Sequence, residues 1–232
     1  MDWTLSPEER TALLLSLRVS IVATLVALPL ALLVAQALAR WRFPGRGLLN
    51  VLVYLPLVLP PVVTGYLLLR TFGLRGPAGA FLQECCGIVF AFRWTGAALA
   101  AGVMAFPLMV RPMQLSIEAV SRGLEETAAD LGARPAMVFL TVTLPLALPG
   151  VVAGAVMGFA RSMGEFGATI TFVSNIPGET QTLPSAIHNL LQIPGGEGGA
   201  LRLVLVAIAV SAGALVLAEA AGQAVARRVR GA

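Results

Sequence analysis

The chain has 232 residues, of which 57% are hydrophobic and 12% charged, with a formal net charge of +4 and a mean hydropathy of +0.85. A typical soluble domain is about half apolar and a quarter charged, so this composition excludes one. The apolar residues fall in blocks of about twenty, the length that crosses roughly 30 Å of hydrocarbon, which makes this an all-α, multi-pass membrane protein.

Five blocks are long enough to span, over about 12–39, 47–69, 94–117, 144–168 and 201–225. The first is too long for a signal-peptide core and reads as an uncleaved span. Prolines at 29, 56, 60, 61, 107, 145 and 149 remove backbone donors within or beside the spans and predict bent helices. Between the second and third blocks Cys85 and Cys86 are adjacent; a disulfide between neighbours is strained, so free thiols are expected. In the fourth block Gly150, Gly154, Gly158 and Ser162 recur every four residues, a ridge on which another helix can pack closely. The whole of 1–232 reads as one transmembrane domain.

All sixteen basic residues are Arg. They form no patch of the kind that binds nucleic acid, and without Lys the chain has neither a Walker A loop nor Schiff-base chemistry. The expectation is that the chain is no enzyme and holds no metal and no cofactor. Arg40, Arg42, Arg46, Arg111, Arg122, Arg134, Arg227, Arg228 and Arg230 lie on one side of the five spans and Arg10, Arg70, Arg75, Arg93 and Arg202 on the other. The positive-inside rule then predicts an outward N-terminus and a cytoplasmic C-terminus.

The link between the third and fourth spans holds a short isolated helix, expected over 124–131 within a segment of about 124–134. Gly123 and Gly132 can end helices and Pro135 can begin one. Glu125, Ala128, Ala129 and Gly132 share one stripe at helical spacing. That stripe is nearly flat, and suits close docking in a partner's groove or a plain surface helix. Near the end of the fourth span, Arg161 and Glu165 are four apart on one expected helical face and neutralise each other, as a packing pair or as a gate. Ser162, Thr169, Thr171 and Asn175 offer neutral hydrogen-bonding groups that could line a pathway without holding what passes. The chain then turns at Pro177–Gly178 and enters a short helix at Pro184. His188, the one histidine, has no ligating neighbours in sequence.

Glu126, Ala128, Gly132, Val142, Leu144 and Pro145 resemble the signature of ABC importer permeases: E-A-A, three residues, G, nine residues, I-x-L-P. Thr127 replaces the second residue and Val142 the Ile. The resemblance implies that this segment is the coupling helix docking into the ATPase, with Glu126 and Gly132 in that contact and Glu125, Ala128, Ala129 and Arg134 beside it. The blocks 55–63, 106–111, 161–169 and 175–180 extend the resemblance over nearly the whole chain and look like the molybdate branch. Sulfate and thiosulfate permeases share the Gly164-Glu165-Phe166-Gly167 neighbourhood, but 174–180 and Leu183-Pro184-Ser185 look more like the molybdate permeases.

The resemblance implies an inner-membrane permease for molybdate, and tungstate with it. It would act as a homodimer in lipid, with two cytoplasmic ABC ATPase subunits and an external binding protein. The region after Phe172 would help close the outer gate and receive that protein. Two rivals remain at this level: an intramembrane enzyme using Glu165 with His188, and an ion-coupled transporter working alone through Arg161 and Glu165.

Overall fold

The first helix, α1 (Pro7–Arg40), starts on a capping box. Glu9 N donates to Ser6 Oγ at 3.2 Å and Ser6 N donates to Glu9 Oε2 at 2.8 Å, which satisfies two otherwise orphaned donors. Its 34 residues extend about 51 Å, well beyond the hydrocarbon. Ala12, Leu15, Val19, Ala23, Ala27, Ala31, Ala35 and Leu38 form its buried stripe, largely of small side chains that admit a close neighbour. The computed structural model describes residues 4–230, with side chains described through Leu217 and at Ala220 and Gly222. The side chains of Arg227, Arg228 and Arg230, part of the charge asymmetry, lie outside the described residues.

The expected second span over 47–69 is broken. It forms α2 (Arg46–Val58) and α3 (Pro61–Phe72), at 116° to each other. The cause is Pro60–Pro61: each proline pushes the preceding residue out of the helical region, and Leu59 (ψ 142°) and Pro60 (ψ 135°) are both extended. A short α4 (Pro77–Cys86) follows, ending at Gly87 with φ +66°. Cys85 and Cys86 in its last turn are free and exposed.

Helix α5 (Trp94–Ala119) is the centre of the bundle and packs against α1, α2, α8 and α9. Arg111 lies inside it, not in the link beyond. Next comes α6 (Arg122–Asp130), starting two residues before the expected helix. Gly132 at φ +88° terminates it: Gly132 N donates to Ala129 O at 2.9 Å and Ala133 N to Ala128 O at 3.1 Å, the paired bonds of a Schellman cap.

The fourth span is displaced from 144–168. It runs through α7 (Pro135–Val138), a π-turn (Phe139–Thr143) and α8 (Leu144–Met163), which together form one apolar helix. Gly164, Glu165 and Phe166 leave it before a short α9 (Gly167–Val173). Then α10 (Leu183–Leu191) opens with Pro184 in its first turn, as expected. The long α11 (Glu197–Arg230) closes the fold. Among the described residues four helices are long and apolar enough to cross, and five spans result if α2 and α3 count as one.

The ends of the bundle are tied by charge. Arg202 at the start of α11 donates to Glu9 Oε1 at 2.8 Å, while Arg40 at the other end of α1 meets Glu125 of α6. So α6 and the start of α11 lie at opposite ends.

The ridge on α8 is used for packing, against α5. A Cβ on Gly154 would lie 2.7 Å from Met109 O and from the Met113 side chain, and one on Gly158 would lie 2.6 Å from Met109 Cγ. Gly154→Val should therefore destabilise the bundle by about 2 kcal/mol through overpacking. Thermal unfolding in detergent measures this, with Ala153→Val on the exposed side of the same helix as the reference.

Candidate functional site

Helix α8 and its π-turn carry two polar clusters, one near each end. At the α6 end, Arg40 is the last residue of α1. Its Nε lies 3.2 Å from Glu125 Oε1 and 3.1 Å from Oε2, and its Nη2 donates to Val120 O, just past α5, at 2.7 Å. Thr143 Oγ1, the last residue of the π-turn, donates to Glu125 Oε1 at 2.6 Å. The two charged side chains are only 11% and 18% exposed, where opposite charges attract strongly and hydrogen bonds complete the pairing.

This geometry corrects the reading of the flat stripe. Glu125 faces the bundle and Ala128 is half-buried, whereas Glu126, Thr127, Ala129, Asp130, Gly132 and Arg134 are exposed. The outward surface is more apolar than the stripe implied: Leu131 is 85% exposed, and Leu124, Met137 and Leu140 also face outward. Arg40 and Thr143 complete this cluster without a local signal, since Arg40 reads in sequence only as one of several flanking arginines. No local pattern links it to a carboxylate 85 positions away.

At the other end, Arg161 Nη1 lies 2.7 Å from Glu165 Oε2. The pair forms, but not on one helical face, because α8 ends at Met163. Glu165 sits in the break and its Oε1 accepts from Ala168 N at 2.8 Å, taking up a free donor in the first turn of α9. One buried carboxylate thus joins the end of α8 to the start of α9.

The other expected pathway residues are not gathered on one open surface. Ser162 and Thr169 are buried, and the Thr171 hydroxyl donates to Gly167 O at 2.8 Å. Ser162 Oγ and Asn175 Oδ1 are buried without a partner. Arg161 keeps 27% of its side chain exposed, so a guanidinium edge is presented while its counter-charge is hidden. His188 is exposed and stacks on Phe166 with ring centroids 5.0 Å apart. No group of three metal-ligating side chains occurs among the described residues.

Glu165→Ala strands Arg161 and uncaps α9, and should cost about 3 kcal/mol. Adding Arg161→Ala should recover part of that loss. A double-mutant cycle on unfolding in detergent measures the coupling, and additive losses would show that the pair contributes nothing.

A family model for the binding-protein-dependent transport system inner membrane component matches residues 27–231. The chain is 55% identical over 215 residues to the molybdenum transport system permease protein ModB of Escherichia coli, covering 93% of this chain and 94% of that protein. It is 36% identical over 191 residues to the sulfate transport system permease protein CysT of Salmonella typhimurium, covering 82% and 69%. Among solved structures, a bacterial ABC transporter involved in the import of the acidic polysaccharide alginate superposes with a TM-score of 0.70 at 19% identity, over 96% of this chain and 80% of that one. That likeness shows the fold alone. With the family model covering most of its length, the chain belongs to the inner membrane components of binding-protein-dependent transport systems.

Proposed function

We propose that this chain is the permease subunit of an ATP-driven importer that carries molybdate, and tungstate with it, into the cytoplasm. The observation that carries this reading is the 55% identity, over 93% of the chain, to a molybdenum permease. The sulfate permease relative is more distant, at 36%. The chain works as a homodimer with two cytoplasmic ATPase subunits and an external binding protein. It supplies the path, and the ATPases supply the hydrolysis.

Three features of the geometry favour this reading. A groove of about 580 Å³ between α1, α2 and α5 has an almost wholly apolar lining, and its Thr95 hydroxyl donates to Val89 O at 3.3 Å. An oxyanion finds no donors there, which favours a path between two copies. The exposed apolar side chains around α6 suit docking into the ATPase, with Glu126 and Gly132 in that contact. Both oxygens of Glu165 are engaged, which disfavours the intramembrane-enzyme and ion-coupled readings alike.

Molybdate, tungstate and sulfate are all tetrahedral dianions, and a weakly binding path of neutral donors separates them poorly. Selectivity rests with the binding protein, which can enclose the anion with preorganised hydrogen bonds. Vesicles holding the permease, its ATPase and its binding protein should accumulate molybdate and tungstate with ATP. Sulfate should be about tenfold poorer, equivalent to about 1.4 kcal/mol. Sulfate uptake without molybdate would move the chain to the sulfate branch, and uptake without the ATPase would overturn the importer reading.

The N-terminus lies outside and α6 faces the cytoplasm in this reading. It puts Cys85 and Cys86 outside as well. A membrane-impermeant thiol reagent should label them in intact spheroplasts; labelling only after lysis would reverse the orientation.

A further inference from the structure

The Arg40–Glu125–Thr143 cluster is more than an anchor for one helix. Four elements meet at it: the last residue of α1, the carbonyl just past α5, the inner face of α6, and the last residue of the π-turn leading into α8. Glu125 is the common partner. It takes the Arg40 Nε between its two oxygens and the Thr143 hydroxyl at 2.6 Å. Arg40 in turn holds the end of α5 through Val120 O at 2.7 Å.

A second observation points the same way. The π-turn at Phe139–Thr143 is the one departure from regular helix between Pro135 and Met163. Such turns store an extra residue in a helix and recur at functional positions. Here the π-turn ends on the side chain that reaches Glu125, so its register and the α6 contact are mechanically one feature. A push on the exposed face of α6 reaches α1 and α8 through one largely buried carboxylate, and the end of α5 through the Arg40 it holds.

We propose that this cluster is the joint that passes movement of α6 to the membrane helices, with Arg40 and Thr143 as positioning residues. The proposal rests on the permease reading above. Charge-assisted hydrogen bonds are short and directional and fix orientation as well as distance, which is what a lever needs at its pivot. A surface helix held by apolar contacts alone could slide against the bundle.

The test uses the full complex of permease and ATPase, with its binding protein, in lipid vesicles. A fluorophore at Leu33→Cys, on the exposed side of α1, in a Cys85→Ser/Cys86→Ser background reports ATP-driven movement of α1 whichever anion is carried. Thr143→Val removes one hydroxyl at nearly constant volume, Arg40→Gln removes the cation, and Thr143→Ser restores the hydroxyl. Thr143→Val and Arg40→Gln should still copurify with the ATPase, yet lose molybdate accumulated per ATP by about fivefold or more. The α1 signal should fall in parallel, and Thr143→Ser should retain both. The double variant should be little worse than Arg40→Gln, because both act through Glu125. Unchanged coupling in both single variants would overturn the joint. So would a loss that merely tracks departure of the ATPase, or a Thr143→Ser as impaired as Thr143→Val. A wild-type complex that gives the α1 signal but carries no molybdate would refute the substrate reading while leaving the joint intact.

Discussion

The close approach of α5 and α8 is the contact on which the rest of the fold depends. In lipid there is little hydrophobic gain from pairing two apolar helices, so association rests on van der Waals packing between surfaces that fit. Gly150, Gly154 and Gly158 provide that fit by letting the Met109, Pro112, Met113 and Ser116 region of α5 sit against the α8 backbone. With this pair fixed, α1 lays its alanine stripe against both α5 and α8. The two ends of the α8 span are then held where their polar side chains can find partners.

Three acidic side chains near the ends of the helices each have an arginine within reach. Glu9 has Arg202, Glu125 has Arg40, and Glu165 has Arg161. Each acidic side chain also accepts a second hydrogen bond, from Ser6 N, Thr143 Oγ1 or Ala168 N respectively. Each pair therefore joins separate structural elements, which makes these contacts determinants of geometry more than of stability.

The non-helical backbone of the two broken regions is placed under the same constraint. Leu59–Pro60 and Gly164–Phe166 interrupt helices in the middle of apolar sequence, and such interruptions survive where protein covers them or where they line a water-filled cavity. Here the elements beyond the two breaks pack on each other. Gly65 of α3 sits so close to α9 that a Cβ would lie 2.5 Å from Ala168 O, and Gly167 faces Pro61 in the same way. The breaks are thus mutually supporting, and the Arg161–Glu165 pair lies beside one of them.

Hydrophobic length and punctuation were enough to establish a multi-pass helical protein, the isolated α6, the small-residue ridge and the short helix opening at Pro184. These are local properties, set by side-chain period, by Gly and Pro backbone preferences, and by the thickness of hydrocarbon. The broken second span and the early end of the fourth were less legible, because an apolar run reads alike whether it is straight or bent. The direction of Glu125 was not legible at all. Its helical spacing with Ala128, Ala129 and Gly132 permits an outward stripe, and only the arrival of Arg40 and Thr143 from distant helices turns it inward. By itself, the sequence determined which segments enter the membrane and which residue types could pair. Tertiary structure decided which of them do pair, since a buried charge is fixed by whatever opposite charge the packing brings within about 3 Å.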